Sequence, residues 1–431
     1  MDNLQLIKAN LIAQLQAYQP SKQGEIAVFH AQMESAIVLL SWLKAQQVYP
    51  QFYLNIRDNS AKWAAIGKVC SFSDVNQAHT FMQSQNLPLV GGVQFYGETC
   101  FILPRLLLKQ TQAGLKVSLF VDATRFSDEK AQALACLETF EKWTALDAVA
   151  QPIHLMSQKA TQTQWCEWVE QGLAKIKRGE VSKLVLANEN CFKTTFPLNV
   201  NDFLAQSEKY HVGCYHFLFA EHDKKAFMGS SPELLYRRQG DLLKTEALAG
   251  TALMTEDEAQ NQQQGDWLLH DAKNTYENQL VVDGICQNLA PLIQEIAVAD
   301  VELKKLRNVQ HLRRKIVAVL NTDCGDHQLL QAMHPTAAIA GLPQIEAKQA
   351  VKNLENFDRT WYAGVLGVMQ PAQADFCVTI RSAFIEQGNE HSKLCVFAGA
   401  GIVEGSIPLL EWREIERKAN GLVSLLQQNK S

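Results

Sequence analysis

The stretch that most constrains this chain runs from Phe227 to Thr251, FMGSSPELLYRRQGDLLKTEALAGT. Leu234-Leu235-Tyr236 and Leu242-Leu243 are apolar runs separated by Gln239-Gly240-Asp241, the pattern of two strands joined by a turn. The spacing predicts a β-hairpin bracketed by two polar clusters. At one end Gly229-Ser230-Ser231-Pro232-Glu233 sets a carboxylate where the chain bends. At the other, the small residues of Ala249-Gly250-Thr251 let backbone N–H groups approach an anion closely. An acid and an anion cradle on one rigid element suit chemistry on a small carboxylic acid.

The rest of the chain can build a frame for such a site. With 431 residues, 47% of them hydrophobic and 20% charged, it has the make-up of a globular protein with a sizeable core. That length allows two or three average domains or one large α/β unit. A net charge of −5 leaves no basic footprint, which excludes nucleic acid as an expected partner. The ten cysteines lie singly, without a C-x-x-C pair. With no signal peptide in view, they predict reduced thiols in a cytoplasmic protein. No apolar run approaches the ~18 residues of a membrane span.

Along the first part, Leu4, Ile7, Leu11 and Leu15 fit one helix face, and Ala36 to Leu43 reads as a buried segment. Strands are expected at 51–54, 64–67, 92–95 and 117–121. No titratable residues gather there at catalytic spacing, and Glu34-Ser35 reads as an exposed pair at a helix start. Ser157 to Gln164 is a polar linker leading into a helix with Trp165, Trp168, Val169, Leu173 and Ile176 inward. A boundary near 155 therefore separates an N-terminal segment, 1–155, from a catalytic part, 156–431, with a shared sheet as the alternative to separate cores. Thr255 to Gly265 lacks periodicity and reads as a solvated surface loop.

Taken alone, the remaining polar residues admit ordinary readings. Lys183 opens the apolar strand Lys183-Leu184-Val185-Leu186-Ala187, where a lysine usually snorkels to the rim. Glu277 lies on a helix whose apolar face reads as Tyr276, Leu280, Val281 and Ile285. Glu411, Glu414 and Lys418 stand at i, i+3 and i+7 on a helix started by Ser406 and Pro408, beside a packing stripe of Trp412, Ile415, Ala419 and Leu422. Such a stripe is usually a solvated, salt-bridged face. Arg381 shares a predicted strand face with Thr379 and suits bidentate carboxylate binding.

SPELL and TEALAGTA together resemble the chorismate-utilising enzymes, a family of isochorismate, salicylate, anthranilate and aminodeoxychorismate synthases. The TEALAGTA form is most similar to the isochorismate synthases of menaquinone biosynthesis. The matching motifs span residues 183 to 418. The resemblance implies an α/β (α+β) fold of large, twisted, mostly antiparallel sheets flanked by helices, acting on chorismate. It makes Lys183, in KLVLA, the general base that activates water, and Glu233 the general acid. It places Gly250, Thr251, Tyr362, Arg381, Gly399 and Lys418 against the substrate. It assigns Mg²⁺ to Glu277 and Glu414, with Glu411 third through water, and no cationic partners are apparent among these glutamates' close neighbours. His334-Pro335-Thr336 fits a family loop without a derivable chemical role.

Two residues depart from the family pattern: Asn188 stands where arginine is usual, and Asn278 where histidine is. Ala249 replaces the nucleophilic lysine of aminodeoxychorismate synthases, and Ala252-Leu253-Met254 lacks the arginines of anthranilate synthases. The expected reaction is therefore isomerisation of chorismate to isochorismate, with no glutamine amidotransferase subunit. A salicylate synthase, which goes on to eliminate pyruvate, and a non-catalytic chorismate-binding subunit are the alternatives.

Overall fold

The computed structural model describes residues 2–20 and 25–427. Two large sheets carry the fold, one of 12 strands and one of 10. Every strand pairing among the described residues is antiparallel, as in Lys183–Thr194 against Ser392–Ile402 and Leu242–Leu253 against Val309–Leu320. One contiguous apolar core runs between the sheets and their helices. It includes Leu4, Ile7, Leu11 and Leu15 of the Asp2–Ala17 helix, as the 3.6-residue spacing predicts.

Both sheets mix strands from before and after residue 155. Gln51–Asn55 pairs with Tyr215–His222 in the larger sheet, and Leu89–Val93 pairs with Val365–Gln370 in the smaller. The predicted linker at 157–164 is structured. Ser157 and Gln158 end a strand, and Thr161 caps the Gln162–Lys177 helix through a capping box with Gln164.

Other expectations are corrected. Most of the polar run 255–265 belongs to the Glu258–His270 helix, started by Asp257, whose side chain accepts from the Ala259 and Gln260 amides. Its weak periodicity hid it, because only Asn261, Gly265 and Leu268 are buried. On the Ala272–Leu289 helix Val281 and Ile285 face inward as expected, but Tyr276 is exposed, and Asn274, Glu277, Asn278 and Val282 join the inward face. Cys191 and Cys395 oppose each other on neighbouring strands and form a disulfide, while the other eight cysteines are free. The two lie 204 residues apart, so sheet register rather than sequence spacing unites them. Among the described residues no helix is long and apolar enough to cross a membrane.

Candidate active site

Two neighbouring antiparallel segments cross between the larger and the smaller sheet side by side, and a cavity opens at this double crossing. Lys225–Ser231 passes through Pro232-Glu233 into Leu234–Gln239. Antiparallel to it, Gln373–Val378 passes through Thr379-Ile380-Arg381 into Ser382–Gln387. The crossing segments stay paired: the Ser230 amide donates to the Arg381 carbonyl (3.0 Å), and the Val378 amide donates to the Glu233 carbonyl (3.2 Å). The predicted hairpin is present, with Gly240 at φ +60° in its turn. Arg381 is not on a strand face beside Thr379. It sits in the joint itself at φ +51°, a strained region for a side-chain-bearing residue.

With its open mouth included, the cavity encloses about 700 Å³. Glu233, Thr251, Glu277, Tyr362, Arg381 and Lys418 line it, with Gly250, Gly399 and Glu414 beside them. Lys183 and Glu411 stand behind this lining. Lys183 is fully buried, its Nζ 2.9 Å from Glu277 Oε1, so it does not snorkel.

Glu233 is 5% exposed, and burial, with the charge of Glu246 added, pushes its carboxyl up to about 7. A carboxylic acid that keeps its proton near neutrality can donate it. Burial also pushes the Tyr362 hydroxyl up, so it stays protonated. Tyr362 stacks on Phe397 at 5.1 Å. Gly399 is held open for contact: a Cβ there would lie 2.8 Å from both the Tyr362 hydroxyl and the Leu186 carbonyl. Its own carbonyl accepts from Lys418 Nζ (2.9 Å).

The cradle at 249–251 differs from expectation. A bulge at Gly250, φ +81°, turns the strand, but the Thr251 amide donates to Asn274 Oδ1 (3.1 Å) and is not free for an anion. Thr251 offers its hydroxyl instead, 3.3 Å from Glu414 Oε1 and 3.2 Å from His311 Nδ1.

The three helical glutamates do have cationic partners, contrary to the sequence reading. Lys183 pairs with Glu277, Lys273 with Glu411 (2.7 Å) and Lys418 with Glu414 (2.6 Å). Buried carboxylates need counter-charge, and two of these lysines stand four residues from a glutamate on the same helix, Lys273 before Glu277 and Lys418 after Glu414. Burial opposes the Glu414 charge, but Lys418 and Lys273 outweigh it and hold that carboxyl well below its ordinary value. Among the described residues the three carboxylates do not gather within 4.8 Å of one another.

The departures at Asn188 and Asn278 are structural. Asn188 brackets residue 160, accepting from the Ala160 amide (2.8 Å) and donating to its carbonyl (2.9 Å), and so anchors the approach to the Gln162–Lys177 helix. Asn278 Nδ2 donates to the Leu312 carbonyl (3.1 Å) and lies 3.4 Å from that of Ala249, tying helix to bulge. His334 Nε2–H donates to the Gln94 carbonyl (3.0 Å), outside the cavity lining.

The family model for chorismate binding enzymes matches residues 92–427. The chain belongs to that family. It is 69% identical over 429 residues to the isochorismate synthase MenF of Pasteurella multocida, covering 100% of both chains. It is 36% identical over 441 residues to the MenF of Escherichia coli, covering 99% of this chain and 100% of that one. The solved structure of the Escherichia coli menaquinone-specific isochorismate synthase superposes with a TM-score of 0.92 at 36% identity, over 99% of this chain and 100% of that one. Anthranilate synthase component I of Streptococcus pneumoniae shares the fold at a TM-score of 0.65 and 18% identity, over 94% of each chain.

In this member of the family several site residues had no sequence signal. His311 lies between the Gly250 carbonyl (3.1 Å) and Arg381 (3.3 Å), and burial beside Arg381 pushes its imidazole down to about 3, so it is neutral. Gly401 lies under the Lys183–Glu277 pair, where a Cβ would fall 2.1 Å from Glu277 Oε1. His311 stands among other polar residues of its strand, Gln310 and Arg313 to Lys315, and a glycine two positions after Gly399 was the only hint.

Proposed function

We propose that this protein is an isochorismate synthase that converts chorismate to isochorismate for menaquinone biosynthesis. The observation that carries this reading is the pairing, around one cavity, of a buried carboxylic acid at Glu233 with the amine of Lys183, while Ala249 supplies no nucleophile. Lys183, once it has released its own proton and holds the free amine, takes a proton from the water that attacks C2 of the ring. Glu233 gives its proton to the C4 hydroxyl, which leaves as water, so the hydroxyl lost at C4 is matched by the one gained at C2. Arg381 and Lys418 supply positive charge for the substrate's carboxylates, and the buried Tyr362 hydroxyl orients the ring.

Glu277 and Glu414 would hold Mg²⁺ and Glu411, kept behind them by Lys273, would reach it through water. The donor set supports this: hard carboxylate oxygens on the cavity wall, too few to replace all of the ion's waters. The metal would bind the ring carboxylate and fix the substrate's position. The charge that Glu277 and Glu414 direct at it is the charge their lysines now neutralise.

Chromatography of protein mixed with chorismate and Mg²⁺, with a lactate-dehydrogenase-coupled pyruvate assay alongside, tests the proposal. The expected result is a reversible mixture of chorismate and isochorismate, indifferent to ammonia and glutamine. Stoichiometric pyruvate with salicylate would make the protein a salicylate synthase, and with anthranilate an anthranilate synthase. Absence of any product would make it a chorismate-binding subunit.

A further inference from the structure

Behind the acid lies a charged cluster that the reaction above does not use. Glu246, from the Leu242–Leu253 strand, has a side chain only 1% exposed. Arg57 grips both its oxygens, with Nη2 2.8 Å from Oε2 and Nη1 on Oε1. Lys304 Nζ lies 3.5 Å from Oε1 and Arg313 3.9 Å from Oε2. The same two cations also turn on one backbone atom, the Pro232 carbonyl, which accepts from Arg57 Nη1 (3.1 Å) and, separately, from Lys304 Nζ. Pro232 immediately precedes Glu233 in the chain crossing. Residues 57, 246 and 304 come from three separate strands or turns, and Arg57 belongs to the N-terminal segment.

We propose that Glu246, with Arg57 and Lys304, forms a positioning clamp for Glu233, fixing the Pro232 carbonyl and setting the electric field at the acid's carboxyl. The inference rests on Glu233 acting as the proton donor. A proline carbonyl alone could be satisfied by one donor. Two buried cations bound to a buried anion deliver something more, a fixed set of charges beside a group whose protonation matters. Glu233 faces Glu246, Lys183, Lys304 and Lys418, and Arg381 and Tyr362 also act on it. Glu246 opposes its ionisation and Lys304 favours it. Burial outweighs the pull of Glu246 and brings the Lys304 ammonium down to about 8, whereas the grip of Arg57 keeps Glu246 ionised against its burial.

Opposite charges in one clamp give opposite tests. Glu246→Gln removes the repelling charge and should lower the Glu233 titration by roughly half a unit to one unit. Lys304→Met removes an attracting charge and should raise it by a similar amount. Two readouts follow each variant: the infrared band of the protonated carboxyl that Glu233→Gln abolishes, and the limb of the kcat/KM profile near pH 7. Both variants should also lose about tenfold in kcat as Pro232 loosens, with chorismate KM changing less. Shifts of the infrared band in the same direction in both variants, or in neither, would overturn the clamp, since a merely structural role has no sign. Band shifts as expected with an unmoved kinetic limb would uphold the clamp and overturn Glu233 as the proton donor instead.

Discussion

Gly401→Ala isolates geometry from stability at the centre of the site. The backbone at Gly401 lies outside the left-handed region, so alanine adopts it without strain. Its Cβ, however, would lie 2.1 Å from Glu277 Oε1 and 3.2 Å from Lys183 Cε. Side-chain carbons do not approach an oxygen closer than 3.0 Å, so the Glu277 carboxylate must retreat by roughly 1 Å, a displacement that costs about 100-fold when it falls on catalytic groups. That loss corresponds to about 2.7 kcal/mol in the activation barrier. Stability should scarcely change. The colliding atom ends a flexible side chain, and alanine reduces unfolded-chain freedom, worth about 0.4–1 kcal/mol in favour of the fold. The assay is kcat/KM for chorismate beside thermal unfolding. Gly92→Ala is the control, because its Cβ would lie 1.8 Å from the Val365 carbonyl, a backbone atom that cannot step aside. Gly92→Ala should unfold the protein, while Gly401→Ala should remain folded and slow. Wild-type turnover in Gly401→Ala would refute the claim that the Lys183–Glu277 pair must occupy this place.

Four further outcomes are expected. Lys183→Ala and Glu233→Gln should each lower kcat by at least ~100-fold with the fold retained, and near-normal turnover in either would end that role. Glu233 is raised from 4.5 to about 7 in the folded state, so its contribution to stability is full below 4.5 and is lost as pH rises to about 7. Glu233→Gln should therefore flatten that decline, by about 3 kcal/mol in denaturant titrations at pH 8 relative to pH 4.5, and an unchanged decline would contradict a buried neutral acid. EDTA should abolish turnover and Mg²⁺ restore it, with Ca²⁺ a poor substitute and Glu277→Ala or Glu414→Ala demanding more metal; full activity in chelator would remove the metal from the scheme. Arg359→Met should cost about 3–5 kcal/mol in chemical denaturation, because it strands Glu355, which is fully buried and also accepts from the Ala187 amide (2.7 Å); a loss below about 1 kcal/mol would show that Glu355 finds another partner.

Short-range chemistry made part of this protein legible in its sequence. The 3.6-residue spacing of Leu4, Ile7, Leu11 and Leu15 marked a helix, and the turn at Gln239-Gly240-Asp241 marked a hairpin. Local order also kept SPE, AGT and the Glu411–Glu414–Lys418 stripe together, so their residues could be named before any contact was known. The family resemblance then carried Lys183, Tyr362, Arg381 and Gly399 to positions around one cavity or immediately behind it.

What depends on distant pairing was decided only by the tertiary structure. The double crossing that twists Arg381 out of its strand needs both sheets to meet, and the Cys191–Cys395 bond needs the register of two strands 204 residues apart. The lysines that neutralise Glu277, Glu411 and Glu414 had to be assigned in space, since a charged stripe on a helix reads equally as a solvated face. The clamp on Pro232 draws on residues 57, 246 and 304, none informative alone. Burial is the common reason: it converts Glu233 from a turn glutamate into a carboxylic acid raised to about 7, and it arises from the whole fold rather than from any segment of the chain.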